Sequence, residues 1–212
     1  MKKLQKICVD GKCFHKSALK LAWFTVVYNI IEGIISVFFG AVAGSIALIG
    51  FGLDSFVESL SGAIIVWRFA NHHELSEKEV AEKEKKAVKW VSYSFFILAA
   101  YIFYESVSKL YLNEKPQSTM VGIVISLVSI AVMAVLFRLK QNAGNAIKSK
   151  SVIVDSKQTL ACIYLSIALL IGLGLNYLAG FWQADPLVGI IIAVFLAKEG
   201  VHALKEEKLE CC

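Results

Sequence analysis

The sequence predicts an all-α membrane protein, a six-transmembrane-helix bundle with its N and C termini cytosolic. Three observations carry this expectation. Of the 212 residues, 57% are hydrophobic and only 18% charged, with a mean hydropathy of +0.65, a balance that water-soluble domains of this size do not sustain. Six stretches reach the roughly 20 apolar residues a helix needs to cross a hydrocarbon core. Lysine and arginine gather between alternate stretches, as the positive-inside rule expects of a chain that threads back and forth. The stretches lack the alternation of a β-barrel, and with two prolines in the whole chain helices can satisfy every backbone group in lipid.

The predicted spans run over 18–42, 45–69, 88–110, 118–138, 155–179 and 186–204, which divides the chain into an N-terminal tail (1–17), a transmembrane domain (18–204) and a short C-terminal tail (205–212). Lys2, Lys3, Lys6, Lys12, Lys16 and Lys20 precede or open the first span. Arg68 to Lys89 link the second and third, Arg138 to Lys157 link the fourth and fifth, and Lys198, Lys205 and Lys208 close or follow the sixth. Only Lys109 and Lys115 fall on the other side. Both tails and the two longer loops are therefore expected in the cytosol, in a multi-pass protein of the cell membrane. The formal charge of +5 reports orientation in the bilayer, and nucleic acid is not an expected partner. With no small-residue cleavage site after it, the first span is expected to remain as an anchor. Of five cysteines, Cys8, Cys13, Cys211 and Cys212 lie in the tails, where a reducing cytosol argues against a disulfide framework.

The outer connections are short: Gly40 to Ser45, Leu112 to Ser118 and Gly180 to Asp185. Asp185 before Pro186 has the pattern of an N-cap with proline at the first helical position, opening the sixth helix. Ser76 stands three residues before Glu79, a capping-box spacing, and Glu79 with Lys83 and Glu82 with Lys86 follow at i,i+4, so the third helix is expected to begin in solvent. Asn145 to Ser151 would extend the fifth helix inward.

The chemistry concentrates in the second span. Asp54 and Glu58 lie four residues apart and so project from one helix face near mid-membrane. Each costs about 2.5 to 3.5 kcal/mol to place at a helix centre. Gly50 and Ser61 share that face, so the pair is expected to point into the bundle. The fifth span offers a matching stripe: Asp155, Gln158, Thr159, Cys162 and Ser166, with Asn176 further along. Gln158 and Cys162 repeat the i,i+4 spacing, and two helices with two donors each can close around one ion in the tetrahedral geometry zinc prefers. Ordinary interhelical hydrogen bonding is the alternative reading of that stripe. Thr25, Asn29, Glu32 and Ser36 form a polar stripe on the first span, with Glu32 a proton site, a lining residue or a structural hydrogen bonder. Glu105 and Lys109 fit a local ion pair near the outer surface. After the second span, His72 and His73 beside Glu74 form a peripheral metal-site pattern, and Cys8, Cys13 and His15 have soft-metal character. Cys211 and Cys212 suit a thiol clamp or lipidation.

At these residues the chain resembles the transmembrane domain of the cation diffusion facilitator (cation efflux) family, divalent-metal/proton antiporters that work as homodimers with six spans per protomer. AGSIALIGFGLDSFVESLSG is similar to that family's second span, VDSKQTLAC to its fifth and ADPLVGIIIAVFLAKEG to its sixth. The resemblance implies that Asp54 and Glu58 are metal ligands and puts Gln158 and Cys162 where the family usually keeps a His and an Asp. It sets His72 and His73 in a loop where some members bind a second ion. It further implies a short branch without the family's C-terminal cytosolic domain, its homodimer held by membrane contacts.

The resulting expectation is export of a divalent cation from the cytosol in exchange for protons, by alternating access around a mid-membrane site. Zinc is the favoured cargo, with Cd²⁺, Co²⁺, Mn²⁺ and Fe²⁺ as alternatives. Two carboxylates a turn apart in low dielectric resist ionising together, and a metal needs them deprotonated, so metal and protons compete for one site. A reading from another class is a metal-binding membrane sensor or scaffold that binds without turnover. An enzyme with Cys162 as nucleophile is not expected, because no span carries a central histidine to serve as its base.

Overall fold

The computed structural model describes residues 12–70, 77–117, 119–147 and 150–209, and among them every regular element is helical. There are six: α1 (Lys12–Ala43), α2 (Ile46–Ala70), α3 (Glu77–Leu112), α4 (Met120–Ile147), α5 (Lys150–Ala179) and α6 (Ala184–Leu209). Five contain stretches long and apolar enough to cross a membrane: Leu19–Ala43, Ile46–Ile64, Phe95–Leu112, Met120–Ala146 and Asp155–Ala179. The apolar run of α6 stops at Ala197, before Lys198 and Glu199, yet at 26 residues this helix is about 39 Å long. It packs lengthwise on α3 and also meets α2 and α5.

The helices pair as α1 with α2, α3 with α6 and α4 with α5, while α2 touches α1, α3, α5 and α6 and so occupies the middle. A chain of this kind in water would bury apolar side chains and expose polar ones. Here the reverse holds on a large scale. Phe24, Ile34, Phe38, Val42, Ile97, Val124, Val135, Ile171 and Val194 face outward, while Asn29, Glu58, Ser126, Ser129 and Thr159 are wholly buried. Outward apolar and inward polar side chains are what lipid as solvent selects, and the chain is an integral, multi-pass membrane protein.

The interior has two parts. Between α2, α3, α5 and α6 lies an apolar core of Ile46, Leu48, Phe51, Ile102, Leu165, Leu169, Leu173, Ile192 and Leu196. Between α1, α2, α4 and α5 lies a polar region. Small residues permit the close approach of α1 and α2: a Cβ on Gly33 would stand 2.9 Å from the Gly52 carbonyl oxygen, and one on Gly52 would stand 2.9 Å from that of Gly33.

The chain reverses on residues that tolerate left-handed backbone. Gly44 (φ 67°) ends α1, Gly180 (φ 63°) follows α5, and Asn113 (φ 56°) closes α3. The connection between α1 and α2 is thereby only Gly44 and Ser45. Ser45 caps α2, its Oγ accepting from the Leu48 amide at 3.1 Å.

Three local expectations change. Asp185 does not cap its own helix: its carboxylate accepts from the Ser45 hydroxyl and from the Ile46 amide (3.0 Å), so it caps α2 from across the bundle. Helix α6 begins two residues earlier, at Ala184, and Pro186 still falls in the first turn, where an amide has no intrahelical partner to lose. Lys109 pairs with Glu114 at 3.4 Å, not with Glu105, because the Asn113 turn folds Glu114 back past the helix end. Asn145 belongs to α4, which continues to Ile147 before α5 starts at Lys150. Helix α3 does begin in the charged segment, at Glu77. Ser76 lies outside the described residues.

Candidate metal centre

Asp54 and Glu58 sit on the inner face of α2, both buried, with Glu58 wholly so. Helix α5 crosses α2 at this level and brings Cys162 between them. The Cys162 Sγ stands 2.9 Å from Glu58 Oε2 and 3.3 Å from Asp54 Oδ2, so the thiol is within hydrogen-bond reach of both carboxyl groups. One turn earlier on α5, the Thr159 hydroxyl stands 2.9 Å from Glu58 Oε1. Glu58 is therefore held on both oxygens by α5. One turn later, Ser166 reaches Ser129 of α4 at 3.1 Å.

Among the described residues, no three His, Cys, Asp or Glu side chains stand in the arrangement of a ready metal cage. The donors are turned toward one another and toward a cation supplied by the chain. Lys140 of α4 is wholly buried, its Nζ 2.8 Å from Asp155 Oδ2, 2.9 Å from Thr159 Oγ1 and 3.9 Å from Glu58 Oε1. An ammonium at this depth is held only because carboxylates surround it. The second oxygen of Asp155, Oδ1, is buried with no hydrogen-bond partner among the described residues.

The sequence-based site is thus partly reassembled. Asp54, Glu58 and Cys162 converge. Asp155 is present one layer away, bound to Lys140. Gln158 is only half-buried and makes no hydrogen bond within the cluster; Thr159 stands in its place beside Glu58. On a helical wheel Gln158 lies at the margin of the stripe that Asp155, Thr159, Cys162 and Ser166 share, about 60° from Asp155. Lys140 escapes the sequence reading because it looks like one more loop charge reporting orientation. Its signal is spacing: Met133, Leu136, Lys140 and Ala143 recur every three or four residues, and all four are buried. His72 and His73 lie outside the described residues, as do Cys8, Cys211, Cys212 and the side chains of Cys13 and His15.

A second buried carboxyl group adjoins this region. Glu32 of α1 accepts from Tyr28 (2.9 Å) and from Ser55 of α2 (3.0 Å). Along the same face of α1, the Asn29 amide and the Ser36 hydroxyl are buried without a hydrogen-bond partner among the described residues. The polar stripe read on the first span does face inward.

Two carboxylates and one sulfur, all withdrawn from lipid, form a donor set suited to borderline and soft divalent cations. Comparison with known proteins points the same way. The chain is 22% identical over 93% of its length to transmembrane protein 163 of Xenopus laevis, covering 69% of that protein. It is 26% identical over 82% of its length to an uncharacterized transporter of Methanocaldococcus jannaschii and 23% identical over 86% to the magnetosome protein MamB of Magnetospira. It spans 62% and 64% of those two relatives. Residues 90–210 match the model of the cation efflux transmembrane domain, so with most of α3 and all of α4 to α6 inside the match and the buried acid–thiol cluster between α2 and α5, the chain belongs to the cation efflux transmembrane-domain family.

Proposed function

We propose that this protein carries a divalent metal ion, zinc in the first instance, out of the cytosol in exchange for protons, by alternating access around Asp54, Glu58 and Cys162. The observation that carries the reading is the Cys162 thiol set between two buried carboxyl groups of another helix, at 2.9 and 3.3 Å. Metal binding needs those three groups deprotonated, so each arriving ion expels protons, and protons displace it in turn. The sign follows: metal affinity falls as pH falls, and an inward proton gradient drives metal outward. The tails face the cytosol and the transporter is a homodimer joined through lipid-facing helix surfaces.

Proteoliposomes loaded with a pH-sensitive dye test this reading. Zinc, cadmium, cobalt, manganese and iron are each offered, and metal-dependent proton flux is recorded for the wild type and for Asp54→Ala. Flux in the wild type that vanishes in the variant is expected. Undiminished flux in Asp54→Ala removes Asp54 from the site.

One observation favours binding without turnover: Lys140 already supplies a positive charge beside Glu58. In that case the purified protein binds metal while vesicles take none up, and the same preparation distinguishes the two.

A further inference from the structure

Lys140 is a buried cation in the polar region that the proposed exchange does not use. Its ammonium is bound between Asp155 and Thr159, and through the Thr159 hydroxyl it is joined to Glu58 Oε1. Glu58 thus faces two ways: Oε2 toward the Cys162 thiol, Oε1 toward the lysine. Along α5, Asp155 precedes Cys162 by two turns, about 10 Å. The ammonium accordingly lies between the acid–thiol cluster and the end of the bundle where α4 leads into α5. Asp155 Oδ1, buried on the same carboxylate and without a hydrogen-bond partner among the described residues, is an acceptor beside it.

We propose that Lys140 is a tethered counter-cation that closes the approach to Asp54, Glu58 and Cys162 from the α4–α5 end, and that a divalent metal reaches them from that end only as the ammonium withdraws. The proposal rests on the metal-carrying reading above and adds the competitor built into the chain. A divalent ion at Glu58 and an ammonium 3.9 Å from the same carboxylate repel strongly in a low-dielectric interior, so one displaces the other. Lysine suits this work because its charge sits on a flexible four-carbon stem that can swing toward the polar end of a helix. Asp155 Oδ1 then receives the incoming cation as Oδ2 releases the ammonium.

The test uses the full chain in nanodiscs with Cys8, Cys13, Cys211 and Cys212 replaced by serine, so that Cys162 is the remaining thiol. Cadmium alone is titrated, and the sulfur-to-cadmium charge-transfer band reports the bond to Cys162 whether or not transport follows. Lys140→Met is expected to bind cadmium about tenfold more tightly or better, because a repelling charge is gone. Lys140→Arg, which keeps the charge, is expected to bind no more tightly than the parent. Since Lys140→Met strands a buried carboxylate, Lys140→Gln, which keeps a donor for Asp155 without the charge, serves where the first variant fails to fold. A parent band whose affinity is unchanged or weakened in the neutral variant that folds overturns the role of Lys140 and leaves the metal site standing. No band in the parent or in any variant overturns both. A band in a neutral variant but not in the parent supports the plug directly.

Discussion

On the proposed reading, Cys162 sets which metals the site prefers. Its sulfur is the one soft donor among hard oxygens, and it touches both carboxyl groups of α2. Cys162→Ser is expected to weaken cadmium binding by about tenfold or more while manganese changes little, since manganese prefers oxygen; competition titrations in nanodiscs give the two affinities. Glu32 makes a different prediction. It is bound to Tyr28 and Ser55 and makes no hydrogen bond to the acid–thiol cluster. Glu32→Gln is expected to leave the cadmium–thiolate band intact and to lower the protons moved per metal, read from simultaneous dye and metal uptake; an unchanged ratio removes Glu32 from the proton route. At this scale the sequence was readable where polarity stood out against apolar neighbours. Asp54, Glu58 and Cys162 announce themselves by an i,i+4 spacing and by sharing a register between two spans. Gln158 falls outside the hydrogen-bonded cluster and Thr159 inside it because 158 and 159 flank one stripe, and a wheel cannot say which edge meets the partner helix. Lys140 was hidden because a lysine near a span end has two meanings, orientation signal or buried cation, and only the packing of α4 on α5 separates them.

Helix termini and helix contacts were harder to foresee than helices. The six apolar runs are long, so their existence follows from composition, whereas the choice of which residue caps which helix is a tertiary matter. Asp185 has the pattern of a cap for α6 and caps α2 instead, because the α5–α6 turn brings it over Ser45 and the first amides of that helix. Asp185→Ala removes acceptors for two donors and is expected to cost about 1 to 2 kcal/mol, seen as a lower unfolding temperature in detergent. Asp185→Asn, which keeps an acceptor, is expected to lose less. The crossing of α1 and α2 makes a second test. Gly52 leaves no room between the Gly33 carbonyl, Ser36 and Val37, each within 2.9 Å of where its Cβ would lie. Gly52→Val is expected to force these helices apart at a cost of about 1 to 3 kcal/mol and, by tilting α2, to degrade cadmium binding two residues away at Asp54.

Across the whole molecule the division of the interior carries the functional sense. The apolar core joins α2, α3, α5 and α6, and the polar region joins α1, α2, α4 and α5, so α2 and α5 belong to both. Lesions in the apolar part, such as Ile102→Ala, are expected to cost about 2 to 5 kcal/mol in stability without changing which metal is preferred. Orientation is testable with native groups: in intact cells an impermeant thiol reagent is expected to spare the tail cysteines, Cys8, Cys13, Cys211 and Cys212, and to label them after permeabilisation. Labelling without permeabilisation reverses the topology.

Three ties gather at the end of the bundle away from Lys140: Asp185 to Ser45 and Ile46, the Gln117 amide to the Ala43 carbonyl at 2.8 Å, and the Asn176 amide to the Pro116 carbonyl at 3.3 Å. They clasp together the three reversals at this end, α1 to α2, α3 to α4 and α5 to α6. On the alternating-access reading proposed above, with Lys140 closing the other end, opening this mouth requires these ties to part. Loosening the clasp should therefore quicken turnover even as it makes the protein easier to melt, an exchange of durability for speed written into a single aspartate.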